Sequence, residues 1–374
     1  MLGLYIHIPF CAKKCHYCNF VITLSGDPDQ RGLFLSALAK EAAHEAPHFE
    51  GRSFDTLYFG GGTPSVLSAD ETERLFRIIR GHFHVKEDAE ITWEANPGDA
   101  DKEKVSLYRS LGTNRVSLGA QSFNDATLKR LNRSHDAGDI RRSFQLFRDG
   151  GFGNINLDLI LSLPRETLGD VERSLTEAVR LGPDHISLYE LAIEEGTRFG
   201  RQFKQGTLAL PDEALGLQML SFARQYLKNE GYRHYELLNY ARPGFESRHN
   251  LLYWSNEEYL GLGPGAFSYV GGRRSRTSAT VGEYLRKMEK GDWAAREEEM
   301  LDTGKKEIES FLLALRLTEG ASLSRFRGLV AKFNRPIREL SGKGLLAETE
   351  NKIRLTPRGQ FFAETVFAEL SSLE

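Results

Sequence analysis

Over its first two hundred residues the chain alternates short runs of β-forming residues with longer runs whose apolar positions recur at helical spacing. Leu4–Ile8 predicts a first strand, and after a cysteine-bearing loop Phe34–Ala46 predicts a helix that ends before Pro47. Thr56–Phe59 predicts a second strand, running into Gly60-Gly61-Gly62-Thr63-Pro64-Ser65. Ser68 and Glu71 then stand at capping-box spacing and open a helix through Ile79. Four more strands are expected at Glu90–Glu94, Arg115–Gly119, Asn156–Ile160 and His185–Glu190. Helices near Asp125–Leu131 and over Ile140–Asp149 and Leu168–Leu181 separate the later ones. Such alternation calls for a parallel sheet with right-handed crossovers. Six units are fewer than the eight of a closed barrel, so the expected fold is α/β, a partial (β/α)6 barrel, with a doubly wound open sheet as the alternative. In either case ligands belong at the carboxyl ends of the strands, where Cys11, Gly60–Ser65, Glu94, Gln121 and Asp158 fall.

The alternation fades beyond Glu195. Pro211 predicts the start of a long helix through Leu227, followed by a short strand at His234–Leu238. Helices are expected at Thr303–Leu317, Leu323–Phe333 and Arg335–Ser341, then a hairpin formed by 344–347 and 352–355. Helices followed by a small hairpin resemble a winged-helix module of α+β type. The chain thus divides into a barrel over 1–200, an extension packing on it over 201–300, and a winged-helix-like module over 301–374.

At 374 residues with 40% hydrophobic and 27% charged content, this is the composition of a globular protein. A formal charge of −3 gives no electrostatic push toward nucleic acid, so a packing or partner-docking role is expected for the C-terminal module. No apolar run approaches the roughly 20 residues that span a bilayer, and the start, Met1-Leu2-Gly3-Leu4-Tyr5, carries no basic n-region. A cytoplasmic protein is expected; transient membrane contact is compatible with that.

All three cysteines lie within eight residues, Cys11-x-x-x-Cys15-x-x-Cys18, directly after the first strand. Thiolates are soft ligands suited to iron–sulfur clusters, zinc or copper(I). A closed zinc site takes four ligands, and His16 could supply the fourth. A cubane cluster has four irons, so three cysteines would leave one iron open to an outside molecule. The glycine run lets backbone approach a ligand closely, or is simply a tight strand–helix turn. Glu94 and Asp158 are acids in apolar strands, costly there unless paired. Arg133 could clamp a carboxylate with its planar fork. His249, in His249-Asn250-Leu251-Leu252-Tyr253-Trp254, could be a ligand or be hydrogen-bonded at a seam. Arg273-Arg274-Ser275-Arg276 is most simply a solvated loop.

The cysteine triad, with Tyr5 six residues before it and Tyr17 just before its last member, resembles the radical S-adenosylmethionine (SAM) superfamily. The strings YIHIPFC, GGGTPS, EANPG, GAQSFN and LDLILSLP resemble the branch that contains oxygen-independent coproporphyrinogen III oxidases and heme chaperones. That resemblance implies a radical-SAM-type barrel, a [4Fe–4S] cluster on Cys11, Cys15 and Cys18, and SAM chelating the open iron. It implies SAM contacts from Tyr5, Tyr17, Gly61, Glu94, Ala192 and Phe267, with Gly62, Thr63, Gln121, Arg133 and Asp158 lining the rest of the cavity. Two departures separate this chain from the oxidases: Phe20 stands where they have a further cysteine, and only ten residues precede Cys11. Both, with the HNxxYW string at His249, imply the chaperone side, where His249 could ligate heme iron. Its partners would then be heme, heme-accepting respiratory apoproteins and a reductant for the cluster, with a homodimer compatible. The alternative is an oxidase in which the reduced cluster cleaves SAM to a 5′-deoxyadenosyl radical that attacks a porphyrinogen propionate. Turnover is left open.

Overall fold

The structure is a computed structural model and describes residues 1–24, 27–293 and 297–371. The six expected strands form, as β1 (Leu2–Ile8), β2 (Ser53–Gly61), β3 (His84–Ala95), β4 (Arg115–Gln121), β5 (Ile155–Leu161) and β6 (His185–Glu190). They pair in parallel in that order. A seventh parallel strand, β7 (Glu258–Leu262), pairs with the free side of β1, Leu4 opposite Leu260. Antiparallel strands extend the sheet at both ends: Phe267–Val270, Arg273–Arg276 and Glu297–Met300 beyond β7, and Asn239–Ala241 with Arg233–His234 beyond β6. Among the described residues the sheet has twelve strands and two ends, so the partial barrel is borne out and enlarged.

Alternation along the strands sets what faces where. The apolar set, among it Leu4, Ile6, Leu57, Phe59, Trp93, Leu118, Leu157 and Ile186, packs into one large core with the helices. Phe59, Phe76, Trp93 and Tyr108 form an aromatic cluster there, with ring centroids 4.8 to 6.0 Å apart. The helices start where side chains can satisfy their first N–H groups. Ser68 and Glu71 make the expected capping box, and Asp136 with Asp139 and Thr167 with Asp170 make two more. Each cap stabilises its helix by about 1 kcal/mol.

The long helix expected from Pro211 runs over Glu213–Asn229, with Asp212 as its N-cap. The strand expected at His234–Leu238 is instead split into Arg233–His234 and Asn239–Ala241. Between them Glu236 turns inward, fully buried, and its carboxylate accepts from Leu238 N and Asn239 Nδ2. Beyond residue 303, helices Thr303–Leu315, Arg327–Lys332 and Asn334–Gly342 pack with a three-stranded sheet (Ala321–Ser322, Leu346–Glu348, Lys352–Leu355) around a second core. That core includes Phe311, Leu315, Leu340, Ile353 and Val366, and it borrows Leu237 from the chain following the barrel. Among the described residues no helix is long and apolar enough to cross a membrane.

Candidate functional site

The alternate positions of the parallel strands are polar on their inward side: Tyr5 and His7 on β1, Thr56 and Tyr58 on β2, Glu90, Thr92 and Glu94 on β3, Arg115 and Ser117 on β4, Asn156 and Asp158 on β5, His185 and Ser187 on β6. These side chains bond to one another across the strands. Asn156 Nδ2 donates to Ser117 Oγ (2.7 Å) and Asp158 Oδ1 (2.8 Å), and Ser117 Oγ donates to Asp158 Oδ2 (3.1 Å). His185 Nδ1 donates to Asn156 Oδ1 (2.6 Å), so its Nε2 is the acceptor for the Tyr235 hydroxyl (2.8 Å). Such a network gives each buried acid the partners that make its burial tolerable.

At the carboxyl end of this polar interior sit the cysteines. Cys11 is buried against Thr63, its Sγ 3.5 Å from Thr63 Oγ1. Thr63 Oγ1 accepts from Asn96 Nδ2 (3.1 Å), Asn96 Oδ1 accepts from Arg133 Nη2 (2.5 Å), and Arg133 Nη1 donates to Cys15 Sγ (3.3 Å). Arg133 Nη2 also reaches the Gly119 carbonyl (2.9 Å). A closed circuit of polar contacts therefore ties the cysteine loop to the ends of β2, β3 and β4. Cys18 is half-buried and its amide donates to the Cys15 carbonyl (3.3 Å). Burial pushes the Cys11 thiol up to about 11, and the nearby Cys18 and Cys15 thiols add to the rise.

The three thiols and the cation Arg133 fit a multi-iron cluster better than a single ion. Cys15 and Cys18 lie near enough to raise the Cys11 thiol, and Arg133 sets a cation beside thiols that a cubane would share out over separate irons. His16 is committed elsewhere: Nδ1 donates to the Arg130 carbonyl (2.8 Å), and Nε2 accepts from Arg198 Nη1 (3.0 Å). The four-ligand zinc alternative loses its fourth ligand.

The glycine run meets a steric requirement. A Cβ on Gly61 would lie 2.6 Å from the His7 ring, at φ +109°, and one on Gly62 would lie 2.6 Å from the Phe10 carbonyl oxygen. Gly60 passes directly beneath the Glu94 carboxyl, 2.9 Å from where its Cβ would stand. Glu94 accepts from the Tyr58 hydroxyl (2.8 Å) and Gly61 N–H (3.1 Å). Burial raises the Glu94 carboxyl to about 7 and also raises Asp158. Arg115, a buried guanidinium whose Nε has no partner among the described residues, opposes both rises. Gln121 ends β4 in the left-handed region at φ +66°, a strained conformation of the kind found at functional sites. Tyr5 bonds His7 (3.2 Å), and Tyr17 is half-buried against Leu131, Ile160 and Leu163. At the rim, Ala192 is exposed and Phe267 is exposed beneath the Arg276 guanidinium, 5.1 Å from the ring centre.

His249 is not at this rim. It lies at the opposite, amino end of the strands on helix Arg248–Trp254, 1% exposed. Nδ1 is 2.7 Å from Thr56 Oγ1, Nε2 is 2.8 Å from the Tyr253 hydroxyl, and its ring stacks on Tyr58. The Glu90 carboxylate accepts from the Arg248 and His249 N–H groups (3.0 Å each) at the start of that helix. With both nitrogens engaged inside the barrel floor, its placement is that of a hydrogen-bonded seam histidine. Three contributors went unnoticed in the sequence. Asn96 looked like part of an Asn-Pro-Gly turn. Arg115 and Glu90 looked like ordinary strand ends, although the polar alternation shared by β2 to β6 marks their faces as inward.

The class of this fold and site is that of the radical SAM proteins: residues 5–178 match the model of the Radical SAM superfamily, and residues 308–362 match that of the HemN C-terminal domain. The chain is 35% identical to the heme chaperone HemW of Bacillus subtilis over 98% of both chains, and 34% identical to that of Escherichia coli over 98% of this chain and 97% of the other. The structure is similar to that of the Escherichia coli coproporphyrinogen III oxidase HemN, a radical SAM enzyme, with a TM-score of 0.87, 26% identity, and coverage of 99% of this chain and 89% of that one. The chain belongs to the HemW family of radical SAM proteins.

Proposed function

We infer that this protein is a heme chaperone that binds a [4Fe–4S] cluster, SAM and heme and delivers heme to respiratory apoproteins. The observation that carries the reading is near end-to-end similarity to proteins named heme chaperones in both Bacillus subtilis and Escherichia coli. Phe20, exposed where the oxidases have a further cysteine, agrees with it. Cys11, Cys15 and Cys18 would hold the cluster, and its open iron would chelate the amino and carboxylate groups of SAM. The chain's own residues supply position. Glu94 offers a carboxylate to the ribose hydroxyls of SAM, with Tyr58 and Gly61 holding it in place. The glycine run exposes backbone polar groups to the methionyl part, and Arg133 braces the cysteine loop while screening thiolate charge. Tyr5, Tyr17, Ala192 and Phe267 would complete the SAM surface, with Thr63, Gln121 and Asp158 lining the remaining cavity. The oxidase reading is kept alive by one observation, the TM-score of 0.87 to HemN. Anaerobically reconstituted protein assayed in parallel for heme uptake and for SAM-dependent loss of carboxylate from coproporphyrinogen separates the two. The chaperone reading expects stoichiometric heme and no turnover; turnover without heme uptake overturns it.

SAM affinity should depend on pH through Glu94. A carboxyl raised to about 7 is neutral below that pH and charged above it, and only the charged form accepts a charge-assisted hydrogen bond from a ribose hydroxyl. The affinity is therefore expected to level off above pH 7 and to fall toward tenfold per unit below it, because one proton competes with one ligand. Glu94→Gln should weaken binding by about tenfold or more and flatten the profile. A wild-type titration unchanged between pH 6 and 8 would remove Glu94 from the contact.

A further inference from the structure

The chain from Gly263 to Phe267 leaves the carboxyl end of β7 and forms part of the barrel rim. It is pinned from several sides. A Cβ on Gly263 (φ +95°) would lie 2.5 Å from the His7 carbonyl oxygen, and one on Gly265 (φ +79°) would lie 2.7 Å from the Val21 side chain. Val21 follows Cys18 by three residues, and its carbonyl accepts from His7 Nε2 (2.8 Å). The Thr277 hydroxyl donates to the Gly263 carbonyl, and Gly265 N–H donates to the Ser278 carbonyl (2.8 Å). This loop therefore touches β1 and the chain leading out of the cysteine triad at the same time, and it ends at the exposed ring of Phe267.

A further anchor is a carboxyl group. Glu41, on helix Pro28–Glu45, is fully buried, and its Oε2 accepts from Gly263 N–H (2.8 Å) and from the Tyr284 hydroxyl (2.9 Å). Tyr284 stands on helix Val281–Lys290 and is itself fully buried, with its ring 6.2 Å from that of Phe34. An apolar side chain would fill the position at lower cost, since a buried carboxyl group gives up its hydration. What the carboxyl adds is an acceptor for Gly263 N–H. The β1–β7 ladder ends at Ile6 and Leu262, so this amide lies beyond it and must find another partner once buried.

We propose that Glu41 is a positioning residue for SAM: by holding Gly263 it sets the Gly263–Phe267 wall at the distance from the cysteine loop that the nucleoside end of the cofactor needs. The open iron and the glycine run take the methionyl groups, and Glu94 takes the ribose, which leaves the adenine for this wall. Phe267, 48% exposed with the Arg276 guanidinium 5.1 Å from its ring centre, offers a flat aromatic surface of the kind that packs against a base. Glu41 touches no ligand; it acts through the backbone of Gly263. The inference rests on the reading of the barrel mouth as the SAM site and names the residue that shapes one side of it.

The test uses the full-length protein with its cluster reconstituted anaerobically and two probes, SAM and S-methylmethionine, a sulfonium amino acid that has no nucleoside. Binding is read from the change each makes in the electron paramagnetic resonance spectrum of the reduced cluster. Glu41→Leu fills the space without an acceptor; it is expected to weaken SAM by about tenfold or more and to leave S-methylmethionine nearly unchanged. Glu41→Gln keeps an acceptor oxygen and is expected to restore most of the SAM affinity. Thr277→Val releases the Gly263 carbonyl from the other side and should weaken SAM in the same selective way, which decides the matter if Glu41→Leu does not fold. Equal weakening of both probes, or wild-type SAM affinity in the variants that fold, overturns the positioning role and leaves the SAM site standing. A wild-type cluster that responds to neither probe overturns the SAM site and this inference with it.

Discussion

Cys15→Ser should strip the protein of nearly all its iron. A serine hydroxyl at neutral pH is neither ionised nor soft, so it cannot replace the thiolate as an iron ligand. The loss should be close to complete, because in the proposed site all three cysteines hold the cluster and the chain contains no fourth to recruit. Anaerobically prepared wild type is expected to carry about four irons per chain and the variant well under one, with loss of the broad cluster absorbance. The companion measurement is His16→Ala, which should keep its iron. His16 spends both ring nitrogens on Arg130 and Arg198, so removing it deletes contacts between the cysteine loop and the chain around residues 130 and 198 but no metal bond. Equal metal loss in the two variants would contradict this assignment and restore a four-ligand, single-ion site.

Gly62→Ala is expected to separate the cluster from SAM. The new Cβ would stand 2.6 Å from the Phe10 carbonyl oxygen and 2.9 Å from that of Ile8, and both belong to the backbone that leads into Cys11. Gly62 N–H also donates to the Ile8 carbonyl (2.8 Å), so the glycine loop and the cysteine loop are in direct register. Backbone cannot rotate aside as a side chain can, and the two loops must part. Overpacking of this kind costs about 1–3 kcal/mol, visible as a lower denaturation midpoint. The larger effect is local. The variant should still assemble iron on its three cysteines yet bind SAM at least tenfold more weakly, because the two surfaces facing the ligand have shifted. Wild-type SAM affinity in Gly62→Ala would show that the close approach is only a way of turning the chain.

Much of this architecture was legible in the chain. Period-two and period-3.6 runs located all six strands read from the sequence, and Ser68 with Glu71 marked a helix start that the structure reproduces. The seventh strand was missed for a physical reason. Glu258–Leu262 is five residues long and contains Gly261, whose Cβ would stand 2.1 Å from the Phe267 carbonyl oxygen. A glycine demanded by tertiary contact weakens the local β signal. Glu236 similarly breaks the expected strand at His234–Leu238, because its buried carboxylate organises a turn that no local propensity encodes.

The site was legible as a set of residues but not as a circuit. Thr63 and Arg133 were picked out singly, whereas the structure joins them through Asn96 to two of the cysteines. That connection runs between loops 30 or more residues apart, and spacing along one strand cannot report it. Asp158 was noticed as an acid interrupting an apolar run, yet it is one of a polar set that recurs at alternate positions of β2 to β6. Comparing the strands with one another, rather than one at a time, exposes the inward face.

The most direct test of the central claim is the electron paramagnetic resonance spectrum of the reduced, anaerobically reconstituted protein with and without SAM. If three thiolates hold a four-iron cluster whose remaining iron is open, SAM should change the signal at one equivalent per chain, and Glu94→Gln should demand more SAM for the same change. A cluster signal that is identical with and without saturating SAM, or a preparation whose only metal is zinc, would contradict it.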